Sequence, residues 1–210
     1  MRKEKGKILI EGMDLSGKTT ITKYLSGIMD IDKIQRRTIS DSCEIYDFAV
    51  AQSKKGNLHT DLINKLYTLA ISEDLYNYEP NNNGIILQDS YFALRSYALM
   101  KYRYPDTLAK EVYGLLQLFP KPELTFYLTA STPERVKRNE KRDKPMAYME
   151  RLLLSNPSEF EAIEKNLKDI TTSLFDAEII DTQGKKPNEI AQYIKKRFKE
   201  INIGDNIHER

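Results

Sequence analysis

Short apolar runs alternate along the chain with longer amphipathic stretches. The apolar runs predict five β-strands, at 7–11, 34–39, 84–89, 123–128 and 177–180. Between the strands, apolar residues recur at helical spacing, as at Ile21, Tyr24, Leu25 and Ile28, which predicts that one stripe of each helix faces a core. Strands that alternate with helices are typical of repeated βα units, so the pattern predicts a single α/β domain over residues 1–210.

Helical spacing continues through the rest of the chain. Four further helices are expected to turn apolar residues toward the core: Leu62, Ile63, Leu66, Leu69 and Ala70; Leu108, Val112, Leu115, Leu116 and Phe119; Phe160, Ile163, Leu167, Ile170 and Leu174; Ile190, Tyr193, Ile194 and Phe198. A polar residue followed by proline, at Thr132-Pro133 and at Asn156-Pro157, predicts two capped helix starts. The asparagine-rich segment 81–84 predicts a turn that leads into the third strand.

The charge of the chain is nearly balanced, with 33 Lys and Arg residues against 31 Asp and Glu residues. This balance argues against a protein whose main task is to coat nucleic acid, so no nucleic-acid partner is expected. No apolar run approaches the roughly 20 residues that span a bilayer, so no membrane partner is expected. One cysteine, Cys43, excludes an internal disulfide and a multi-cysteine metal site. We expect a cytoplasmic protein.

The strongest chemical signal is the octapeptide Gly12-Met13-Asp14-Leu15-Ser16-Gly17-Lys18-Thr19, which fits the phosphate-binding pattern G-x-x-x-x-G-K-[ST]. It follows the first predicted strand and opens the first predicted helix. In this context the glycines let backbone N–H groups turn toward phosphate oxygens, and the helix N-terminus adds a positive end. Lys18 would bridge phosphate oxygens, and the Thr19 hydroxyl would bind Mg²⁺. The segment from Gly12 to Thr20 is therefore predicted to bind ATP and Mg²⁺.

The loop alone does not fix the reaction, since GTPases, ATPases and small-molecule kinases share it. A GTPase would carry N-K-x-D for guanine, and the sequence has no such tetrapeptide. Mechanical ATPases are usually larger. A short chain with a basic segment late in its sequence, at 134–144, favours a kinase.

Several segments resemble the thymidylate kinase family of P-loop nucleoside monophosphate kinases. The stretch from Ile8 to Thr20 is similar to the family's phosphate loop, in which Glu-Gly opens the loop and an acidic residue, here Asp14, follows. The further matches are Asp89-Ser90-Tyr91 for the family's Asp-Arg-Tyr, the strand from Pro122 to Leu128, Thr132-Pro133-Glu134-Arg135 with Arg138 and Arg142 at the entry to the lid, and Ile180-Asp181-Thr182. These matches span nearly the whole chain, which is identified as a divergent member of the family.

The resemblance implies a P-loop fold with three α/β/α layers. It implies a parallel sheet in the strand order 2-3-1-4-5 and a helical lid at about 134–156. It also implies a homodimer that transfers the γ-phosphate of ATP to a nucleoside monophosphate, dTMP in the type members. In the family, the carboxylate at the position of Asp14 accepts a hydrogen bond from the 3′-hydroxyl of the acceptor.

The residues themselves suit phosphoryl transfer, which depends on positioning and on neutralisation of charge. Asp89, at the carboxyl end of a predicted strand, is expected to hold the hydration shell of Mg²⁺. Arg135, Arg138 and Arg142 recur at i, i+3 and i+7, so a helix would place them on one face. A mobile lid would bring Arg138 and Arg142 over the transferring phosphoryl group. With Lys18, these two arginines and Asp89 form the predicted catalytic set.

Three departures from the family concern the acceptor site. Ser90 stands where the family has an arginine that contacts the acceptor phosphate, and Arg95 is the nearest substitute. The family's Arg-Glu-Pro-Gly-Gly segment is absent, although Arg36 and Arg37 lie at about the right place in the chain. No arginine occurs from 64 to 94, so the usual donor to a thymine carbonyl is missing. Aromatic residues that could stack on a base instead are Tyr67, Tyr91, Phe92 and Tyr97.

These departures leave two alternatives open. Loss of the acceptor-phosphate arginines favours a kinase of a hydroxyl acceptor, such as a nucleoside or deoxynucleoside. A non-catalytic nucleotide-binding protein would keep the loop without turnover, and the intact Lys18, Thr19 and basic lid argue against it.

Overall fold

The computed structural model describes residues 5–56, 58–80, 84–143 and 145–208. Its strands are β1 (Gly6–Glu11), β2 (Ile31–Arg37), β3 (Ile85–Tyr91), β4 (Leu124–Thr129) and β5 (Glu178–Asp181). They form one parallel sheet of five strands in the order β2-β3-β1-β4-β5. The predicted α/β fold and the strand order implied by the resemblance are confirmed.

Helices connect the strands. They are α1 (Lys18–Ile28), α2 (Glu44–Lys55), α3 (Thr60–Tyr76), α4 (Phe92–Arg103), α5 (Leu108–Leu116), α6 (Thr132–Glu140), α7 (Tyr148–Ser155), α8 (Pro157–Phe175) and α9 (Pro187–His208). Asn156 caps α8 as predicted, whereas α6 is capped by Ser131, one residue before the predicted Thr132. In the part of the chain that the structure describes, no helix is long and apolar enough to cross a membrane.

The second strand differs most from its prediction. The sequence pattern predicts 34–39, whereas β2 runs from Ile31 to Arg37. The reason is its place at the edge of the sheet, where exposed positions interrupt the buried ones and no continuous apolar run is needed. The turn predicted at 81–84 lies outside the described residues except for Gly84.

Apolar layers cover both faces of the sheet because successive strand residues point to opposite sides. On one face, Ile8 and Ile10 of β1 join Leu25 of α1 and Ile194 of α9 in a buried cluster. On the other face, Leu9 belongs to a larger cluster with residues of α4, α5 and α8, among them Leu94, Val112 and Leu167. The sheet therefore lies between two helical layers.

Some apolar residues predicted to face the core are exposed instead. On α3, Leu62 and Leu69 are exposed while Ile63 beside them is buried. Tyr24 of α1 and Tyr193 of α9 are also exposed, because the hydroxyl end of a tyrosine at the edge of a stripe reaches water. The sequence pattern thus overestimates the width of the buried stripe on these helices.

The sheet order places a ligand-binding position after β1. Ile10 and Asp89 are register partners near the carboxyl ends of β1 and β3. β1 lies between β3 and β4, so the chain leaves it toward one side of the sheet and later continues on the other. Ligands of open parallel sheets bind outside the carboxyl ends of the strands at such a reversal.

Candidate active site

The loop between β1 and α1 curls back on itself. Gly12, Leu15 and Gly17 have φ values of 142°, 65° and 99°. Residue 12 must be a glycine, because a Cβ there would lie 2.2 Å from the carbonyl oxygen of Leu128. Gly17 is the residue before the first turn of α1. A chain with alternating left-handed positions can turn several amides toward one concave side.

Lys18 and side chains from distant segments bind the carbonyl groups of this loop. The bonds are Lys18 Nζ to the Gly12 and Met13 oxygens at 2.5 and 3.2 Å, Arg95 Nη2 to the Gly12 oxygen at 2.5 Å, Arg135 Nη1 to the Asp14 oxygen at 2.7 Å, Arg138 Nη1 to the Leu15 oxygen at 3.0 Å and Thr182 Oγ1 to the Ser16 oxygen at 3.0 Å. The amides of Asp14, Leu15, Gly17 and Lys18, in contrast, donate no hydrogen bond to any described residue. Unpaired amides at a helix N-terminus favour an anion, so the loop is suited to phosphate oxygens.

Lys18 is partly buried beside these amides. Burial and the positive charge of Arg95 lower the pKa of its ammonium group to about 8, and Asp14 and Asp89 oppose this shift. A bound phosphate would favour the charged form of the lysine and raise its pKa again. The position and the electrostatics of Lys18 therefore suit a phosphate ligand.

Arg95, in the first turn of α4, joins the loop to β3. Its guanidinium donates to Asp14 Oδ1 at 2.8 Å, to the Gly12 oxygen at 2.5 Å and to Ser90 Oγ at 3.0 Å. Its Nε also lies 3.4 Å from Glu11 Oε1. Burial alone would raise the pKa of Asp14, but the positive charge of Arg95 lowers it to about 2. Asp14 is thus ionised and held in place by Arg95.

Glu11 is fully buried, and its carboxylate is saturated with hydrogen bonds. It accepts from Ser90 Oγ at 2.8 Å and from the amides of Tyr91 and Gly12 at 2.9 Å each. The carboxylate therefore holds the end of β3 against the start of the loop, and it is not available to a substrate.

The two predicted Mg²⁺ residues lie close to Lys18 in the fold. Thr19 is exposed in the first turn of α1. Asp89 is near enough to Lys18 to affect its pKa, and its carboxylate has no hydrogen bond or ion pair with the described residues. Within the described ranges, no cluster of three or more His, Cys, Asp or Glu residues could hold a metal ion. Mg²⁺ is usually bound by one or two protein oxygens together with nucleotide phosphates and water, and the Thr19 hydroxyl and the Asp89 carboxylate are suitable ligands of this kind.

A basic residue and a group of aromatic rings lie on the β2 side of Asp14. Arg37, at the end of β2, is near enough to help lower the pKa of Asp14. Arg37 Nη1 donates to the hydroxyl of Tyr46 at 3.0 Å. The Tyr46 ring packs against Phe92 and Tyr67, with centroid distances of 4.5 and 6.2 Å. Arg37 and Tyr67, both predicted acceptor residues, are therefore linked through Tyr46.

Arg135 and Arg138 of α6 support the loop from outside. Arg135 is fully buried, donates from Nε to the Ala130 oxygen at 2.8 Å and forms an ion pair with Glu164. Arg138 donates to Thr182 Oγ1 at 3.0 Å as well as to the loop. Arg135 is therefore structural, whereas Arg138 lies beside the loop at a partly exposed position.

Arg142 is in a different setting. α6 ends at Glu140, so Arg142 lies beyond the helix, and the prediction of one helix face for all three arginines is wrong. Pro145 follows closely, and a proline cannot donate the backbone hydrogen bond that a continuing helix requires. Arg142 instead forms an ion pair with Glu150 of α7. Its approach to the transferring phosphoryl group stays a prediction, and it requires this ion pair to open.

Two other tyrosines predicted at the acceptor site pack against aromatic rings elsewhere in the fold. Tyr91 is fully buried, with its ring edge toward Phe119 and Phe175, so its predicted stacking on a base is wrong. Tyr97 packs against an aromatic ring of α5. It lies roughly 200° around the axis of α4 from Arg95, since each helical residue turns about 100°. Large buried rings contribute core area, which is the role of Tyr91.

The remaining predicted residues surround the loop. Arg36 is exposed and is the register partner of Asp89, and the register of β2 shifts between Arg36 and Arg37, where Arg37 has a φ of 68°. The side chains of Met13 and Leu15 pack into the core. Thr20 is exposed in the first turn of α1.

Sequence reasoning assigns no role to the side chains of Glu11, Tyr46 or Thr182. Glu11 could have been found, because a carboxylate that ends an apolar strand requires partners if it is buried. No signal marks Tyr46, whose contact with Arg37 depends on the path of the connection between β2 and α2.

Comparison with known proteins gives one family. The model of the family described as thymidylate kinase matches residues 10–194. A comparison with curated protein sequences gives no match.

Two kinds of kinase are among the similar solved structures. A thymidylate kinase from Candida albicans has a TM-score of 0.66 and 20% sequence identity, over 96% of this chain and 94% of that chain. A deoxyadenosine kinase from M. mycoides with bound products has a TM-score of 0.63 and 20% identity, over 93% of this chain and 99% of that chain. The same enzyme with bound dATP has a TM-score of 0.60 and 20% identity, over 90% and 98%. At this identity the likenesses show a shared fold.

Proposed function

Because this chain belongs to the thymidylate kinase family and is a phosphotransferase of that family, we propose that it transfers the γ-phosphate of ATP to a nucleoside monophosphate, dTMP or a related nucleotide. Residues 12–20 bind the ATP phosphates, with Lys18 at their oxygens. Thr19 and Asp89 hold Mg²⁺, which neutralises phosphate charge when it is bound. The cytoplasmic location expected from the sequence stays a prediction.

The main observation in favour of a monophosphate acceptor is the hydrogen bonding of Arg95. A guanidinium has five N–H donors. The Nε donor is directed at Ser90 and Glu11, and Nη1 and Nη2 each make one bond, to Asp14 and Gly12, among the described residues. One donor thus remains on each terminal nitrogen. Two adjacent donors with a fixed orientation suit two oxygens of one phosphate group.

Three other residues support the same class of acceptor. Arg37 places a second positive charge near Asp14. Asp14 Oδ1 is bound by Arg95, which leaves Oδ2 for the 3′-hydroxyl of the acceptor sugar. Tyr67 is partly exposed and lies against Tyr46, so it offers a ring to the base. In this proposal Arg95 supplies the charge that Ser90 lacks.

A second candidate is transfer to the 5′-hydroxyl of a deoxynucleoside. The serine at position 90 and the shared fold with the M. mycoides deoxyadenosine kinase favour it. A hydroxyl acceptor gains from a carboxylate that takes its proton. Glu11 is saturated with hydrogen bonds, and Arg95 lowers the pKa of Asp14 to about 2, so Asp14 can accept a hydrogen bond at Oδ2 but is a weak base. We therefore place this candidate second.

ADP release, measured with a panel of nucleoside monophosphates and deoxynucleosides, separates the two candidates. We expect release with at least one monophosphate and none with the same panel in Lys18→Ala. Release with deoxynucleosides alone would establish the second candidate, and release with neither class would contradict both.

The role of Arg95 is tested by Arg95→Lys, which keeps the charge and loses the planar fork. The KM for the monophosphate should rise about tenfold, the equivalent of about 1.4 kcal/mol. The KM for ATP should change much less. Arg197→Lys, at an arginine of α9 that is paired with Glu178 and Glu200 away from the loop, is the matched control. An unchanged monophosphate KM in Arg95→Lys would remove Arg95 from the acceptor site.

A homodimer forms, in this proposal, through an exposed face of α3. Leu62, Leu69 and Tyr76 recur at every seventh position and are 46%, 55% and 90% exposed. Exposed apolar residues that share one face of a helix suit contact with a partner. Leu69→Asp should give monomers in sedimentation, whereas Leu154→Asp, at an equally accessible leucine of α7, should not. A monomeric unchanged protein would contradict the dimer.

A further inference from the structure

A cavity of about 480 Å³ lies at the opposite end of β1 from the phosphate loop. Its floor is a row of register partners on three adjacent strands, Lys7 of β1, Ile86 of β3 and Lys33 of β2. Its walls are the segment after β2 at 39–42 and the segment after α3 at 77–80. Lys7 lies roughly 16 Å from the start of the loop, given about 3.3 Å per strand residue. The cavity is therefore separate from the nucleotide site.

Lys7 brings an ammonium group without a partner to this cavity. The residue is 7% exposed, and its Nζ makes no hydrogen bond within the described part of the chain. Nζ lies 5.0 Å from the centroid of the Tyr78 ring, which also lines the cavity. Burial lowers the pKa of Lys7 to about 8, although the charges of Glu123 and Asp74 oppose this shift. Buried lysines are rare without an anionic partner, because removing the charge from water is costly.

Two carboxylates already lie near Lys7: Glu123, which accepts a hydrogen bond from the amide of Lys7, and Asp74, and their charges only partly offset the effect of burial on its pKa. Lys33 forms an ion pair with Asp41. Asp74 accepts hydrogen bonds from backbone amides of the 39–42 wall. Glu79 is exposed where it lines the cavity. A ligand with several negative charges would be repelled by Glu79 and by the carboxylates of Glu123 and Asp74 near Lys7, so a single negative charge suits the site best.

We propose that this cavity binds a small organic acid, whose carboxylate accepts a hydrogen bond from Lys7 Nζ. The cavity volume falls within the roughly 300–1,000 Å³ of small-molecule sites. The two walls are already joined, since Asn77 Nδ2 donates to the Ser42 oxygen at 3.3 Å. The side chains of these residues line the cavity and offer polar contacts to the body of the ligand. A charged hydrogen bond to the ammonium would offset its desolvation.

The test uses the full chain with Lys18→Ala, which removes the lysine of the nucleotide loop so that anion binding reports on Lys7. Acetate, lactate and pyruvate are titrated while thermal unfolding and the lysine Nζ resonances are followed. At least one acid should raise Tm, and it should raise the pKa of Lys7 from about 8. Adding Lys7→Met should abolish the rise in Tm and remove the responding resonance. Lys5→Met, the matched change at an exposed lysine, should leave both intact.

The NMR titration is made on the unchanged Lys7, so it decides the question even if Lys7→Met does not fold. The proposal is overturned if none of the three acids shifts the Lys7 resonance, or if the rise in Tm survives Lys7→Met. It is also overturned if inorganic phosphate binds at Lys7 and the carboxylic acids do not, because the argument from a single charge would then be wrong.

Discussion

Replacing Arg95 with methionine would remove the guanidinium that joins the phosphate loop to β3 while keeping a long side chain. The change deletes the bonds to Asp14, Gly12 and Ser90. Glu11 keeps its bonds to Ser90 and to the backbone, whereas Asp14 loses its ion pair and has no other within the described residues. The loss of stability should therefore come mainly from Asp14.

The expected loss in the free energy of unfolding can be worked out in two ways from the surroundings of Asp14. Breaking a buried ion pair by removing one partner costs about 3–5 kcal/mol. The side chain of Asp14 is 22% exposed, which places this pair at the lower end. The pKa of Asp14 is lowered from 3.8 to about 2, and at about 1.4 kcal/mol per pKa unit the ionised form contributes about 2 kcal/mol. We expect Arg95→Met to lower the free energy of unfolding by about 2–3 kcal/mol at neutral pH.

Acid conditions test whether Asp14 carries this loss. Because its folded pKa is depressed, its contribution is present above pH 3.8 and is lost as the pH falls to about 2. Urea unfolding across this window should show a decrease about 2 kcal/mol larger in the unchanged protein than in Arg95→Met. Arg36→Met, at an exposed arginine, should behave like the unchanged protein. Equal decreases in the unchanged protein and in Arg95→Met would refute the reasoning.

Gly12→Ala should prevent ATP binding in a nucleotide titration and lower Tm, because its Cβ would lie 2.2 Å from a carbonyl oxygen. Gly27→Ala is the control, since its Cβ meets nothing within 4 Å and should stabilise α1 by about 0.5–1 kcal/mol. Lys18→Ala should abolish phosphoryl transfer without lowering Tm, because it removes a charge that burial disfavours, and retained turnover would contradict the loop assignment. Burial lowers the pKa of Lys7 from 10.5 to about 8, so the unfolded chain binds its proton more tightly and stability should rise between these pH values. Lys7→Met should reduce that rise in urea unfolding, and an unchanged rise would show that Lys7 is not the group responsible.

The buried strands are the part of the fold that local sequence specifies best. β1, β3 and β4 are covered by helices on both faces, so each contains a run of three buried apolar or aromatic residues, at 8–10, 85–87 and 126–128, and each predicted limit lies within a residue or two of the observed one. β2 lies at an edge and lacks such a run, which is why its predicted limits are displaced. Leu62 and Leu69 show another limit, since helical spacing identifies an apolar position without indicating whether it faces the core or a partner protein.

The site also contains features that local sequence specifies and features that depend on contacts between distant residues. The phosphate loop is predictable because its conformation depends on residues within one octapeptide, Gly12 and Gly17 above all. The bond between Arg95 and Asp14 joins residues 81 positions apart, so it depends on how α4 packs against β1. Helical spacing predicts that Arg142 lies on the same helix face as Arg138, and this prediction fails because α6 ends at Glu140.

Ser90 and Arg95 form one feature of the site. Ser90 has a φ of 70°, and its hydroxyl donates to Glu11 at 2.8 Å while it accepts from Arg95 Nε at 3.0 Å. This short side chain leaves room for a guanidinium that arrives from α4 instead of from the end of β3. Since Glu11 is fully buried, a cation that compensates its charge must come from a neighbouring segment. In the proposed site Arg95 therefore supplies the positive charge that position 90 lacks, and a comparison of motifs position by position does not reveal it because Arg95 lies on α4.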